Sequence, residues 1–130
     1  WAEDGVNLPE AESYARRAHN LAPGDAYILD TLGWICYKLG RLPESVRLLE
    51  QAYRMRSDVS IIAEHLGDAY YESTMVEKAK SMYAVAVRLE TDKTRVTHLA
   101  EKMNSLEFQN SNEFAVPQAR PQLRLPASEK

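Results

Sequence analysis

A repeat with a period of about 34 residues, a length typical of stacked supersecondary units, is the feature that most constrains the fold of this chain. Residues of the same character recur at that offset in two segments, as in the pairs Leu32 and Leu66, Gly33 and Gly67, and Ala52 and Ala86. A half copy precedes them, because Ala15 and Ala18 stand one period before Leu49 and Ala52. The sequence therefore predicts two whole units preceded by half of another.

Each whole unit has the pattern of two helices joined by a short turn. Apolar residues recur at helical spacing through the first unit, namely Leu29, Leu32, Ile35, Cys36 and Leu39. Gly40 and Pro43 then mark the end of one helix and the start of the next. The same reasoning along the chain predicts helices over 9–21, 26–39, 43–56, 59–72, 76–90 and 93–107.

Small residues stand where the two helices of a unit are expected to meet. Gly33 and Gly67 have no side chain, and Ala52 and Ala86 carry only a methyl group. A glycine inside a helix costs about 1 kcal/mol in propensity. We therefore predict that these four positions allow close packing between helices.

The segments DTLGWICYKLGRLPESVRLLEQAY and EHLGDAYYESTMVEKAKSMYAVAV resemble the tetratricopeptide repeat in their L-G pair, aromatics and A-x-x-x-aromatic pattern. The resemblance implies an all-α fold, with antiparallel helix-turn-helix units stacked in a short right-handed solenoid. It places a tetratricopeptide domain at 1–108. Within that domain, 1–25 is the second half of a truncated repeat, 26–59 and 60–93 are repeats, and 93–108 is a C-terminal capping helix. More repeats are expected upstream in the parent protein.

The end of the chain departs from the repeat. Residues 93–107 carry one apolar stripe, formed by Val96, Leu99, Ala100, Met103 and Leu106, as a capping helix requires. Residues 109–130 are polar and contain three prolines, so we predict a disordered tail. A short docking motif in that tail is the alternative.

In tetratricopeptide proteins the inner face of the first helix of each repeat lines a concave groove. The resemblance carries that role to ten positions here: Tyr27, Asp30, Trp34, Tyr37, Lys38, Ile61, Glu64, Asp68, Tyr71 and Glu72. Asp30 and Trp34 stand where the family's carboxylate clamp has Lys and Asn, so such a clamp is not expected. A groove with four acids and the aromatic residues Trp34, Tyr37 and Tyr71 should prefer a basic or apolar segment of a partner protein. Packing of Trp34 and Tyr37 against the neighbouring repeat is the competing interpretation.

Other classes of function find little support. The net charge of −3 argues against nucleic acid, and no apolar run is long enough to span a membrane. The three histidines lack the spacing of a metal site, and Cys36 falls on a core position. Glu64 and Asp68 lie four residues apart, as acids on solvated helices commonly do. We therefore expect no catalysis, metal or cofactor.

The sequence thus predicts a protein–protein interaction module, a scaffold or adaptor. The alternative is a structural repeat block, used for spacing or self-assembly within a larger protein without a free peptide ligand. The repeats also resemble those of bacterial multi-repeat proteins, many of them attached to the cell envelope. The compartment stays open between cytoplasm and periplasm. An exposed face around Tyr14, Ala15 and Ala18 should leave the isolated piece marginally stable or paired as a homodimer.

Overall fold

The computed structural model describes the backbone of residues 7–119 and the side chains of residues 7–106. Over that stretch the chain forms six helices and no strand: α1 (Leu8–Leu21), α2 (Ala26–Lys38), α3 (Leu42–Met55), α4 (Ser60–Glu72), α5 (Val76–Leu89) and α6 (Lys93–Ala119). The first five begin and end within one residue of the predicted limits. The prediction of an all-α helical-repeat fold is confirmed.

Short polar residues fix the starts of three helices. The side chain of Asn7 accepts a hydrogen bond from the Glu10 amide at 3.1 Å, which caps α1. Asp25 caps α2 and Asp92 caps α6, each by accepting bonds from amides of the first turn. Pro9 and Pro43 occupy first-turn positions, where the missing amide hydrogen costs nothing.

The turn inside each repeat adopts the same backbone conformation in both copies. Gly40 has a φ of 83°, and Thr74, the equivalent residue one period later, has a φ of 63°. Both amides bond back to a carbonyl three positions earlier, on Tyr37 and Tyr71. Glycine adopts this left-handed region without penalty, whereas a β-branched residue such as threonine is strained there. The second turn therefore keeps the geometry of the first at a steric cost.

Close packing within each repeat depends on the glycines of α2 and α4. A Cβ atom added to Gly33 would lie 2.8 Å from Leu49 Cγ, and one added to Gly67 would lie 2.8 Å from Tyr83 Cε1. Ser45 lies in the same contact, because its hydroxyl donates to the Gly33 carbonyl at 2.8 Å. Ala52 and Ala86 are completely buried on the second helices. Each repeat is thus a hairpin that leaves no room for a side chain at the glycine.

Two clusters of buried apolar residues fill the interior of the stacked hairpins. One cluster of buried residues joins α1, α2 and α3 and includes Ile62 of α4, while a second joins α3 to α6 around Leu66 and Leu99. Cys36 is fully buried in the first cluster, and burial raises the pKa of its thiol. Two ion pairs outside these clusters link α1 to the following residues. Glu12 pairs with Arg41 at 2.6 Å, and Arg16 pairs with Glu44 of α3 at 2.8 Å.

Helix α6 is longer than the sequence predicted. The expected end at 107 was too early, because the helix continues to Ala119. Residues 109–119 were predicted to be disordered, and their backbone is helical instead. No glycine or proline lies between Leu106 and Pro117 to stop the helix, which explains the error. The rest of the predicted tail, 120–130, lies outside the described residues, as do residues 1–6 of the predicted half repeat.

Candidate partner-binding groove

Trp34 is the centre of an aromatic stack on the face of α2 that the repeat assigns to the groove. Its ring lies 4.5 Å from the ring of Tyr37, centroid to centroid, and 4.1 Å from that of His65. The interplanar angles of 10° and 18° make both contacts stacked. Lys38 Nζ lies 5.3 Å from the indole centroid, within the range of a cation–π contact. The stack joins α2 to α4 through His65.

Asp30 lies beside this stack and does not face open solvent. Asp30 is only 6% exposed, and His65 Nδ1 lies 2.9 Å from Asp30 Oδ1. The imidazole therefore contacts two groove positions at once, the Asp30 carboxylate and the Trp34 ring. Because it fixes both, His65 orients the groove face of α2.

A cavity of about 600 Å³ opens next to the stack, between α1 and α2. Most of its wall is apolar or aromatic, and the polar residues Asp30, Thr31 and His65 line one part. Its full lining is Ala11, Tyr14, Ala15, Ala18, Tyr27, Ile28, Asp30, Thr31, Trp34, Ile35 and His65. Tyr14 and Tyr27 are 55% and 48% exposed, so this apolar surface faces solvent.

The acids of α4 are already paired with cations from α6. Lys102 Nζ lies 2.7 Å from Glu64 Oε2 and 3.1 Å from Asp68 Oδ1. Arg95 binds the other oxygen of Glu64 at 2.8 Å, and the Tyr83 hydroxyl donates to Asp68. Glu64 is only 5% exposed. The sequence predicted an open acidic groove; at Glu64 and Asp68 that expectation was wrong, because cations of α6 pair with both acids.

The pKa values of these groups reflect the pairing. Burial opposes ionisation of Glu64, but its hydrogen bonds and charge contacts with Lys102 and Arg95 outweigh burial and lower its pKa. Burial likewise opposes the charge of Lys102, and the acids overcome it, so its pKa is raised. Glu90 accepts bonds from Ser60 and Arg95, which lower its pKa to about 2. All of these groups are therefore charged at neutral pH.

A second cavity of about 490 Å³ lies between α4 and α6. Tyr37, Asp68, Tyr71 and Glu72 line it together with residues of α5 and α6. Burial, with the nearby carboxylates of Asp68 and Glu72, raises the pKa of Tyr37 to about 12. Its phenol therefore stays neutral to a higher pH than that of an ordinary tyrosine.

Seven of the ten predicted groove positions line one of the two cavities. Tyr27, Asp30 and Trp34 line the first cavity, and Tyr37, Asp68, Tyr71 and Glu72 line the second. Three positions line neither: Ile61 packs against the buried cluster of α1, α2 and α3, Lys38 is exposed beside Trp34, and Glu64 is covered by α6.

Sequence reasoning missed three residues that shape this face, namely His65, Arg95 and Lys102. The sequence did carry a signal for Arg95 and Lys102, because they are seven residues apart and such residues lie on one side of a helix. Nothing local marked His65, whose partners lie on another helix. Among the described residues, no group of His, Cys, Asp and Glu is arranged to hold a metal ion. No helix in the same range is long and apolar enough to cross a membrane.

Stacked hairpins that repeat with one period and share a lined inner face define an all-α helical-repeat protein. Comparison with known proteins agrees. The chain is 39% identical over 67 residues to a TPR repeat-containing protein of Pseudomonas aeruginosa, a match that covers 52% of this chain. It spans 11% of that relative's length.

The fold also resembles a solved structure. The type III secretion translocator chaperone SycD of Yersinia enterocolitica superimposes with a TM-score of 0.77, covering 84% of this chain and 78% of that one. The two sequences are 12% identical, so the likeness concerns the fold. No family model matches the chain.

Proposed function

We propose that this chain is a protein–protein interaction module, a scaffold or adaptor that holds a segment of a partner protein against the face centred on Trp34. The observation that carries the proposal is the aromatic stack at the edge of an open cavity. Trp34 is held between Tyr37 and His65 and also lines that cavity. Rigid, partly exposed tryptophan and tyrosine side chains are the usual anchors of protein interfaces.

The charges of the site narrow the chemistry of the partner segment. At Glu64 and Asp68 a basic partner would have to displace Lys102 and Arg95, which are covalently part of the chain and already in place. The cavity beside Trp34 offers apolar and aromatic surface instead. An apolar segment is therefore preferred there over a basic one. Basic side chains of the partner would find their contacts at exposed Glu72.

A structural role in self-assembly is the second candidate. The exposure of Tyr14 and Tyr27 favours it, because apolar surface of this kind supports pairing of two copies. Sedimentation velocity distinguishes it, since self-assembly through this face predicts a dimer that Tyr14→Asp dissociates. A monomer across the accessible concentration range would remove this candidate.

Affinity capture from a bacterial extract, followed by mass spectrometry, tests the leading proposal. The baits are the native chain, Trp34→Ala, Tyr27→Ala and the control Arg88→Ala, whose side chain is exposed on α5 away from both cavities. The proposal expects the same proteins on the native and Arg88→Ala baits, with loss of about tenfold or more on Trp34→Ala, as for an interface hot spot.

Tyr27→Ala distinguishes lost binding from lost folding, because an exposed side chain can be removed with little effect on folding. Each bait must keep its helicity and melting temperature. Equal capture by all four folded baits would refute binding at this face.

A further inference from the structure

The second cavity lies beside the residues of α4 that are equivalent to the aromatic stack of α2. Asp68 and Tyr71 line it, and they stand one repeat period after Trp34 and Tyr37. In α2 the indole of Trp34 stacks on the Tyr37 ring at 4.5 Å. In α4 the much shorter Asp68 stands in place of the indole. The cavity of about 490 Å³ thus lies where the repeat has exchanged a large flat side chain for a small acid.

The walls of this cavity belong to helices that are packed against one another. Lys102 Nζ of α6 lies 3.1 Å from Asp68 Oδ1 of α4, so the two helices run side by side at this level. Tyr83 of α5 forms another wall, and its hydroxyl donates to Asp68. Nearer the start of α6, Arg95 binds Glu64 at 2.8 Å. These contacts hold the described walls in place.

Negative charge exceeds positive charge around the cavity. The acids Asp68, Glu72 and Glu101 line it, and Lys102 supplies a positive charge. Lys102 lies against Asp68, whereas Glu72 and Glu101 are exposed, and neither of these two forms an ion pair with another residue that the structure describes. Glu72 belongs to α4 and Glu101 to α6, so they border the cavity from two helices. A cationic side chain between them would complement their charge.

Tyrosine rings supply the aromatic walls of the cavity. They belong to Tyr37, Tyr71 and Tyr83. The chain itself places cations against aromatic rings on this face, since Lys38 Nζ lies 5.3 Å from the Trp34 centroid and Lys102 Nζ lies 5.7 Å from that of Tyr83. A guanidinium group can stack its plane on such a ring while its N–H groups reach carboxylates at its edges, whereas an ammonium group is a compact point charge. Flat aromatic walls with acids at two sides therefore favour a guanidinium.

We propose that this cavity binds an arginine side chain of a partner protein, with the guanidinium plane against the tyrosine walls and its N–H groups donated to Glu72 and Glu101. The inference rests on the proposed interaction function and deepens it, because it assigns a second contact of stated chemistry beside the face of Trp34. Tyr37 joins the two contacts, since it stacks on Trp34 and also lines this cavity.

NMR titration of the isotope-labelled full chain tests the site. The probes are acetyl-Gly-Arg-Gly-amide, its lysine counterpart and its citrulline counterpart, in which a neutral urea replaces the guanidinium. The arginine peptide should shift the amide resonances of α4 and α6 around the cavity. It should bind about tenfold more tightly than the citrulline peptide, because hydrogen bonds between charged groups are the stronger ones. It should also bind more tightly than the lysine peptide.

Two kinds of result would overturn the proposal. One is an arginine peptide that binds no more tightly than the citrulline or the lysine peptide. The other is the absence of any shift in α4 and α6 at about 10 mM arginine peptide, a concentration beyond the usual range of weak binding.

Substitutions of the two exposed acids locate the bound guanidinium. Glu72→Gln and Glu101→Gln each remove one charge from an exposed side chain, so folding should be retained. Each should weaken binding of the arginine peptide about threefold, as for an exposed ion pair, and the double variant about tenfold. Glu10→Gln is the matched control, because it removes the same charge from an exposed position on α1, away from the cavity. Equal weakening by Glu10→Gln would show a response to net charge alone and would refute the site.

The double variant also separates this inference from the proposed interaction function. In the capture experiment, partners lost with Trp34→Ala but kept with the double variant would leave the interaction function standing and refute the arginine site. Partners lost with both baits, each with its native melting temperature, would support the two proposals together.

Discussion

Lys102 Nζ lies 2.7 Å from Glu64 Oε2, so a cation of α6 forms an ion pair with the acid in the middle of the predicted groove face of α4. Arg95 binds the second oxygen of the same carboxylate. The last helix therefore does two things at once, since it covers the apolar end of the repeats through Leu99 and neutralises their inner face. A groove that the sequence alone describes as acidic is, in the folded chain, acidic only where α6 does not reach.

Replacement of Lys102 by methionine should destabilise the fold. The change removes the ion pair between Lys102 and Asp68 and one of the two cations that bind the buried Glu64 carboxylate. Loss of a charge-assisted hydrogen bond of this kind costs about 1–3 kcal/mol. Urea denaturation at pH 7 measures the free energy of unfolding. Glu101→Gln, at the exposed neighbouring position, is the control and should change it by less than about 0.5 kcal/mol.

The contribution of this pair should depend on pH in a defined direction. The folded pKa of Glu64 is below its ordinary 4.5, so its contribution is present above that value and lost as the pH falls through the folded pKa. The folded pKa of Lys102 is above its ordinary 10.5, so its contribution is present below that value and lost as the pH rises through the folded pKa. The stability difference between native and Lys102→Met proteins should be full at pH 7 and shrink by pH 3. An unchanged difference would contradict the assignment.

Gly33→Leu should destabilise the first repeat by overpacking it. The added side chain would meet Leu49, whose Cγ lies 2.8 Å from the position of a Cβ at residue 33. Forcing extra carbons into a packed contact costs about 1–3 kcal/mol. The double variant Gly33→Leu, Leu49→Ala exchanges the large and small partners and should recover part of the loss. Thermal unfolding of the two variants decides, and equal melting temperatures would argue against direct contact.

Thr74→Gly should stabilise the protein. Thr74 holds a left-handed backbone conformation that glycine adopts freely, as it does at the equivalent Gly40. Release of this strain is worth about 1 kcal/mol. Gly40→Ala is the matched opposite and should destabilise by a similar amount, because open space surrounds Gly40 and packing adds nothing. A decrease in melting temperature for Thr74→Gly would show that the threonine is held by contacts rather than strained.

Much of this architecture follows from the sequence, because it repeats. The one-period offset between Gly33 and Gly67 predicts both hairpins, and apolar spacing predicts five helices to within one residue. The turn at Thr74 could be inferred by its offset from Gly40. Local signals suffice where each unit forms the same contacts as its neighbour.

The character of the groove could not be predicted in the same way. The expectation treated Asp30 and Glu64 as solvent-facing acids because their positions in the repeat line a groove. Their partners, His65 and Lys102, come from helices packed beside them, 35 and 38 residues away along the chain. Pairing over such distances depends on how neighbouring helices pack against one another. A repeat pattern does not specify this packing at its last unit. By contrast, the predicted positions of Tyr27 and Trp34 depended only on the helical spacing within α2. Both residues do line a cavity.

These pairings also affect how the groove is tested by mutation. Glu64→Lys would place a third cation beside Arg95 and Lys102 in a nearly buried site, so a loss of partners would reflect unfolding. Tyr27 and Trp34 separate binding from stability better, because neither is fully buried.

Hydrogen–deuterium exchange of the chain, alone and with a captured partner, tests the interaction proposal most directly. Partner binding at the face of Trp34 should slow amide exchange in α1, α2 and α4, the helices that line the cavity between α1 and α2, and leave α3 and α5 unchanged. Protection confined to α3 and α5, with α2 exchanging at its free rate, would contradict the proposal and place the partner on the opposite face.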